Sequence, residues 1–384
     1  MSLRRTPLTA IVAAVLSALL LVAGTATGVA AAQSANAATP ARATQPAGVP
    51  WNRVGPGWVL AQYTTAAPEG GKTGPVTLYL ISAGGARYQL ARWPDFRFAP
   101  QLLAWSPDGK RALFQVFSGK GGVEQLTLAT GRMRTFVMQG DATPLGYTTP
   151  NGLNIVASRP SGSGASLARY SLSGRLVRSL GYSANGTALY ASSGTEFVTG
   201  TSHGLKLVSN SGALIRQLPV PRTSANTCNP VRWWSSGTIL VSCAPPGSAI
   251  PRLWLVPVSG ARPTALTPPR SVSSGDLGDL DAWPLSGGLY LQAAGPCGVL
   301  QVFKQARGGS ITLVTVPHTM GDNRVLTALG SRLLIQAPTS CTGSVSLLWF
   351  DPATHAEQWL IRAPQNVIGA AMAIPFYSRE NGNL

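Results

Sequence analysis

The segment from Gly200 to Gly204 has the Gly-x-Ser-x-Gly spacing of the nucleophile elbow found in hydrolases. In that motif the serine lies on a strained turn between a strand and a helix, where backbone N–H groups can stabilise an oxyanion. Here the flanking residues 196–199 and 205–209 both have the pattern of strands. The sequence therefore predicts a hairpin loop at Ser202 and no catalytic serine.

Asp276, Asp279 and Asp281 form an acidic cluster in a long loop predicted over residues 267–282. Alternating carboxylates can supply hard oxygen ligands to Ca²⁺. The spacing lacks the glycine and the final glutamate of an EF-hand, so we expect a solvated, turn-forming loop, with a calcium site as the alternative. No other cofactor is expected, because neither a P-loop nor a dinucleotide-binding fingerprint occurs.

The three histidines are His203, His318 and His355. None has a partner at metal-ligand spacing, and no HExxH motif occurs. We interpret them as surface residues and predict no metal site from them.

The four cysteines fit an oxidising compartment. Cys228 and Cys243 flank a turn at residues 235–236 symmetrically, so an antiparallel hairpin would place them face to face for a disulfide. Cys297 and Cys341 lie in equivalent loops of successive repeats, and we predict a second disulfide between them. A cysteine metal site would need CxxC pairs, and none occurs.

The first residues have the three-part layout of a secretory signal peptide. Arg4 and Arg5 precede an apolar stretch at 8–23, and small residues continue to position 38, with Ala-Asn-Ala at 35–37. We therefore predict cleavage of residues 1–37 and a secreted or extracytoplasmic protein associated with the cell envelope. An uncleaved anchor over residues 10–32 is the alternative, and residues 38–50 are interpreted as a flexible lead-in.

The chain is strongly basic, with a formal net charge of +17 from 30 Lys and Arg against 13 Asp and Glu. Export makes nucleic acid an unexpected partner. Anionic wall polymers, lipid head groups or an acidic protein would be attracted by the field of such a chain. The alternative is that the arginine content reflects codon usage in a GC-rich genome.

Glycines recur between pairs of short apolar runs, at a period of about 40 residues or slightly more. The series is Gly57, Gly109, Gly152, Gly194, Gly237, Gly288 and Gly330. Units of this length, with a turn glycine between the first two strands, are typical of β-propeller blades. The sequence therefore predicts an all-β, seven-bladed β-propeller with four-stranded antiparallel blades over residues 51–376, followed by a tail at 377–384.

The clearest unit covers residues 101–137, with strands at 102–105, 112–117, 123–128 and 133–137. Its first turn is Ser-Pro-Asp-Gly-Lys at 106–110, in which Pro presets φ, Asp bonds nearby backbone and Gly accepts a positive φ. This unit resembles the TolB-like, WD40-like propeller repeat, and degenerate copies extend the resemblance over residues 51–376. The resemblance implies the architecture and gives no catalytic motif. We expect no counterpart of the amino-terminal α/β domain of that family's periplasmic translocation protein, because there is no room for it between Pro50 and the first blade.

The two ends of the repeat array predict how the ring closes. The first blade lacks an inner strand, whereas the carboxyl end has a surplus strand at 367–375. We predict that this strand pairs beside residues 58–63, which removes the open sheet edges. Four tryptophans occupy repeat positions and are predicted to pack in the core: Trp105, Trp233, Trp234 and Trp283.

Two kinds of loop, those between second and third strands and those leading to the next blade, emerge on one face of a propeller. Their cationic and aromatic residues are Lys72, Trp93, Arg97, Lys120, Arg159, Arg222, Arg270 and His318. We expect this face to recognise a protein or an anionic or carbohydrate ligand. The alternative is that these residues serve solubility alone.

The predicted function is that of a secreted, non-catalytic and monomeric propeller, which binds an envelope protein or an anionic wall polymer as a binding or scaffolding module. The alternative is an extracellular enzyme that acts on a polymer or glycan at the central funnel, for which paired carboxylates would be expected. A third hypothesis, adhesion by charge alone, predicts binding that weakens steeply with salt.

Overall fold

The computed structural model describes residues 48–66, 74–95, 99–116, 122–202, 204–221, 228–244, 250–270, 278–295, 299–339, 345–362 and 368–376. In these residues the chain forms 28 strands and one 3-10 turn, Trp51–Arg53. The strands form seven sheets of four antiparallel strands each. The chain is thus an all-β, seven-bladed propeller, which confirms the prediction from the glycine period.

The blades follow one another along the chain. Blade 1 contains β1 (Val59–Ala66), β2 (Val76–Ile81) and β3 (Arg87–Trp93). Blade 2 contains β4 (Gln101–Trp105), β5 (Arg111–Val116), β6 (Gly122–Thr127) and β7 (Arg132–Val137). Blade 3 contains β8 (Thr143–Tyr147), β9 (Asn154–Ser161), β10 (Gly164–Ser171) and β11 (Leu176–Ser183). Blade 4 contains β12 (Leu189–Tyr190), β13 (Glu196–Thr201), β14 (Gly204–Ser209) and β15 (Leu214–Leu218).

The remaining blades have the same order of strands, from the propeller axis outward. Blade 5 contains β16 (Cys228–Ser235), β17 (Thr238–Cys243), β18 (Arg252–Pro257) and β19 (Thr264–Ala265). Blade 6 contains β20 (Gly278–Leu285), β21 (Gly288–Ala294), β22 (Leu300–Gln305) and β23 (Ile311–Leu313). Blade 7 contains β24 (Arg324–Leu329), β25 (Arg332–Pro338), β26 (Val345–Phe350) and β27 (Glu357–Ile361), and the last strand, β28 (Ile368–Pro375), completes blade 1.

The ring closes as predicted, because β28 pairs with β1 and becomes the innermost strand of blade 1. Val59 is opposite Pro375 and Ala66 is opposite Ile368 in an antiparallel register. The backbone N–H of Phe376 then donates to the carbonyl of Trp58 at 2.8 Å. One sheet therefore joins both ends of the repeat array.

Two of the turn glycines combine a positive φ with a close approach to the preceding blade. Gly152 and Gly194 have φ values of 61° and 71°, which L residues rarely adopt. A Cβ at position 152 would lie 2.9 Å from the Cβ of Ser106, and one at position 194 would collide with the carbonyl oxygen of Thr149. Each of these turns thus packs against the turn of the blade before it.

The apolar core lies between blades. Trp105, Trp233 and Trp283 are buried, as predicted, while Trp234 is half-buried and packs against the cluster that contains Leu240. Polar side chains of second strands also connect neighbouring blades. In blade 6, Gln292 donates from Nε2 to the carbonyl of Asn323 at 2.6 Å, and its Oε1 accepts from the Val325 N–H at 3.1 Å.

The predicted disulfide between Cys228 and Cys243 is present, with a Cα–Cα distance of 4.2 Å. The two residues face each other in the β16–β17 hairpin. Cys297 and Cys341 lie outside the described residues, so their pairing remains a prediction. The described residues include no helix of the length and hydropathy that a membrane span requires.

Candidate functional site

Four residues of the predicted ligand face lie outside the described part of the chain: Lys72, Arg97, Lys120 and Arg222. Trp93 is buried in the core of blades 1 and 2, with its ring edge-to-face against Phe114 at 5.5 Å. Trp93 therefore belongs to the core, and its assignment to an exposed face was wrong.

Arg159 and His318 are exposed. The guanidinium of Arg159 lies against the loop at Gly140, between blades 2 and 3. The imidazole Nδ1 of His318 is 3.2 Å from both carboxylate oxygens of Glu357 on the outer strand of blade 7. The structure thus does not bring these two side chains together into one site.

The hairpin predicted at Ser202 is confirmed. Thr201 and Gly204 form the last cross-strand pair of β13 and β14, so Ser202 lies in a tight turn between two strands. His355 has a φ of 59° and packs its ring against Phe350, whereas His203 lies outside the described residues.

Arg270 and Asp279 form a buried ion pair between blades 5 and 6. The Nη2 of Arg270 is 2.6 Å from Oδ1 of Asp279, and the two side chains are 6% and 0% exposed. The guanidinium also lies 4.6 Å above the ring of Phe303. The expectation that Arg270 belongs to an open ligand face was wrong, because this carboxylate and this ring enclose its guanidinium.

A second ion pair, Arg232 with Asp281, joins the inner strands β16 and β20. The Nε of Arg232 is 3.3 Å from Oδ1 of Asp281, and the same oxygen accepts from the Ala282 N–H at 2.7 Å. The guanidinium lies 4.9 Å from the ring centre of Trp283 and 5.6 Å from that of Trp234. Sequence reasoning missed Arg232 altogether.

The prediction that Asp279 and Asp281 lie in a solvated loop was wrong, since β20 already begins at Gly278. Burial in a strand is tolerated because arginines from blade 5 or its exit loop compensate both carboxylates. Asp276 lies outside the described residues. Among the described residues, no group of three His, Cys, Asp or Glu side chains could hold a metal ion.

The electrostatics of this cluster reflect burial. Burial raises the pKa of Asp281 to about 6, although the Arg232 guanidinium and the Ala282 N–H both act to lower it. Burial lowers the pKa of Arg232, and Asp281 acts in the opposite direction. Burial also lowers the pKa of Arg252, whose nearest opposing charge is Asp279. The carboxylate of Asp281 is therefore only partly compensated.

Asp281 has a counterpart at the same sequence offset in each of the other inner strands. The inner strands surround the propeller axis. In blade 2, Trp105 on the inner strand is opposite Ala112, the first buried residue of the second strand, and Leu103 lies two positions before Trp105. The same count identifies one residue in each of the other blades. We call these seven residues the channel ring: Leu103, Leu145, Ala188, Val231, Asp281, Leu326 and Ala373. Six are aliphatic, so Asp281 is the single charged member.

The residue directly after each member of the channel ring is uncharged in six of the seven blades. These residues are Ala104, Gly146, Leu189, Arg232, Ala282, Thr327 and Ile374. The two departures from these patterns, Arg232 in blade 5 and Asp281 in blade 6, contact each other. Aligning the repeats on their buried aromatic residues would have revealed both in the sequence.

Exposure separates Asp281 from its neighbours along β20. Its side chain is 25% exposed, whereas Asp279 and Ala282 are fully buried. Both contacts described for this carboxylate reach Oδ1. None of the described residues donates a hydrogen bond to Oδ2.

A third feature lies on the outside of the ring, where exposed aliphatic side chains collect on three successive outer strands. Val137, Leu176, Val177, Leu214 and Ile215 are between 48% and 63% exposed. Their strands β7, β11 and β15 also carry Arg132, Arg134, Arg178 and Arg216 but contain no Asp or Glu. We call these nine residues the rim patch.

Contacts between blades hold the rim patch together. The Leu176 N–H donates to the Gln139 side chain at 2.9 Å, which connects blades 2 and 3. Arg178 donates from Nη1 to the carbonyl of Ser211 at 3.0 Å, and Arg216 contacts the carbonyl of Ser259 in the same way. The arginines therefore bind the turn of the following blade while their side chains stay exposed.

A cleft of about 670 Å³ adjoins the rim patch between blades 4 and 5. It is lined by Thr201, Gln217, Leu218, Pro219, Val220 and Gly260. Gln217 and Leu218 directly follow Arg216 on β15, so the cleft continues the surface of the patch.

Comparisons with known protein families and with curated protein sequences find no match. Solved structures show that the chain is similar in fold to propellers of peptidases. A prolyl endopeptidase matches with a TM-score of 0.53 and 13% identity, over 83% of this chain and 51% of that one. The β-propeller domain of the Trilobed protease from Pyrococcus furiosus, which is described as having an open velcro topology, matches with a TM-score of 0.52 and 13% identity, over 80% and 95%.

The chain spans about half the length of the prolyl endopeptidase that it matches. TolB from Acinetobacter baumannii is also a neighbour, at 13% identity over 82% of this chain and 66% of that one, but its TM-score of 0.45 is too low to carry an argument. These similarities show the fold alone.

Proposed function

We propose that this protein is an extracytoplasmic, non-catalytic binding propeller that docks an acidic envelope protein on its rim patch. The observation that carries the proposal is the joint presence of exposed aliphatic and arginine side chains, without carboxylates, on three successive outer strands. Exposed apolar patches of this kind mark interaction surfaces, and charge complementarity favours a partner of opposite sign.

Two further observations support an extracytoplasmic binding role. The disulfide between Cys228 and Cys243 is compatible with an oxidising compartment. Asp279 is fully buried between blades 5 and 6, where it pairs with Arg270. Asp279 is therefore a poor partner for paired-carboxylate chemistry with Asp281, and this observation favours binding over the enzymatic alternative.

The test is a pull-down of envelope extract on residues 38–384, with Leu214→Ser/Ile215→Ser as the perturbed variant. Removing two exposed anchors should weaken binding of the retained partner by about 10- to 100-fold, at about 1 kcal/mol each. Leu313→Ser is the matched control, because Leu313 is 56% exposed on the outer strand of blade 6, away from the patch.

The salt dependence of the same experiment separates the partner classes. A protein retained by the wild type and the Leu313 variant, and lost from the Leu214/Ile215 variant, supports the proposal. Retention of wall polymer alone, released as salt rises and unaffected by either variant, would contradict it and favour adhesion by charge.

A further inference from the structure

We propose that the open carboxylate oxygen of Asp281 in the channel ring is a binding site for a primary ammonium group on an aliphatic stem. The site does not depend on the rim patch. It is defined by the contacts of Asp281 and by the aliphatic residues at the same sequence position of the other inner strands.

The first step concerns the ion pair itself. Two charges replace the uncharged residues found at the same positions of the other blades, and they face each other across one blade boundary. Buried ion pairs stabilise proteins weakly compared with well-packed apolar residues of similar volume. Because six blade boundaries are built without this pair, stability gives no reason for its presence in the seventh.

The second step concerns the free hydrogen-bonding capacity of the carboxylate. Arg232 and the Ala282 N–H both contact Oδ1, while Oδ2 receives no hydrogen bond from any described residue. Burial leaves the negative charge under-compensated, as the raised pKa of Asp281 indicates. An added donor with a positive charge would therefore be stabilised here.

The third step concerns the charges and surfaces around that oxygen. Arg270 is paired with Asp279 and so is not aimed at Asp281. Arg252 lies on the third strand of blade 5, over the ring of Trp254. The residues at the same sequence offset in the two neighbouring blades, Val231 and Leu326, are aliphatic. The site thus combines one partly exposed carboxylate with aliphatic residues at the same position of both neighbouring blades, which suits an alkylammonium group or the side chain of a lysine.

The test uses n-butylammonium as the probe and n-butanol as the uncharged control with the same stem. The measurement is the ¹³C chemical shift of the Asp281 carboxyl in protein labelled at aspartate, assigned by its absence from Asp281→Asn. We expect saturable shifts with butylammonium and none with butanol. Nα-acetyl-lysine amide serves as a second probe: tighter binding of this compound would assign the site to a partner's lysine, and tighter binding of butylammonium to a free amine.

Variants separate the site from general charge effects. Calorimetry should show that butylammonium binds Asp281→Asn at least about tenfold more weakly than the wild type. It should show no binding to Arg232→Ala/Asp281→Leu, which carries the uncharged residues that blade 2 has at these positions. Asp141→Asn is the control, because Asp141 is an exposed carboxylate elsewhere and asparagine tolerates its φ of 54°. Equal binding of butylammonium and butanol to the wild type, or undiminished binding to the double variant, would overturn the proposal.

Discussion

Replacing Arg232 and Asp281 together by Ala and Leu, the residues that blade 2 has at these positions, tests whether the ion pair stabilises the ring. The two single changes should differ, because a carboxylate can take up a proton whereas a guanidinium cannot lose one near neutral pH. The pKa of Asp281 is about 6, against an ordinary value of 3.8. Burial of this group therefore already costs the wild type about 3 kcal/mol at pH 7.

Without Arg232, the Asp281 carboxyl is expected to stay protonated at pH 7. Burying it then lowers the free energy of unfolding by about 4 kcal/mol, which is about 1 kcal/mol more than in the wild type. Loss of the contact with Trp283 adds about 1 kcal/mol. Arg232→Ala should thus destabilise by about 2 kcal/mol. Asp281→Leu leaves a buried guanidinium that is 7% exposed and should cost about 3 to 5 kcal/mol.

The double variant should be about as stable as the wild type, because removing both buried charges offsets the cavity that the shorter alanine leaves beside Trp283. The assay is urea denaturation at pH 7, followed by tryptophan fluorescence with the disulfide intact. The reasoning would be refuted if the double variant were less stable than Asp281→Leu, or if Arg232→Ala were the more damaging single change.

Four further predictions concern the same scaffold. Lowering the pH from 7 to 4 should stabilise the wild type relative to the double variant by about 2 kcal/mol, because the raised pKa of Asp281 favours the folded, protonated form. This contribution is fully present below 3.8 and is lost as the pH rises through about 6. Urea midpoints across this range measure it. Gln292→Ala should cost about 2 to 4 kcal/mol in the same assay, because it leaves the Val325 N–H and a carbonyl of the next blade buried without a partner. Gly194→Ala should lower the free energy of unfolding by about 3 kcal/mol, because the new Cβ collides with the Thr149 carbonyl and the φ at this position is positive. Gly162→Ala should lower it by about 1 kcal/mol, because its φ of 59° is also positive but its Cβ meets open space. Thermal unfolding of the two variants measures the difference. Removing residues 368–384 should lower the thermal midpoint of the whole ring, because it takes away the inner strand of blade 1; an unchanged midpoint would contradict the closure described here.

The sequence carried most of the information about the ring. Gly152 and Gly194 are constrained twice, by a positive φ and by contact with the preceding blade, so they persist even where the strands around them are degenerate. Blade 4 illustrates this, since Gly194 marks a unit whose inner strand β12 is only two residues long. Closure by β28 was predictable for a different reason, because one strand was missing at one end and one was surplus at the other.

The candidate sites were harder to predict, because they depend on contacts between blades. Asp281 looks like a loop residue when only its acidic neighbours are considered, and its partner Arg232 lies in a different repeat. Trp93 looks like a rim aromatic for the same reason, although the ring of Phe114 in the next blade covers it. The useful signal was positional: a charge at a register position that is uncharged in every other blade.

The two proposed surfaces follow from how a propeller constrains its strands. An inner strand packs between two neighbouring blades, so a charged residue there requires a partner across the boundary, and Arg232 supplies one to Asp281. An outer strand has one free edge, and its exposed residues are not fixed by packing. The sequences Leu-Val-Arg at 176–178 and Leu-Ile-Arg at 214–216 nevertheless repeat on successive outer strands. Their arginines bind the following blade, but nothing in the ring requires the exposed Leu-Val and Leu-Ile pairs, which is why a partner accounts for them better than folding does.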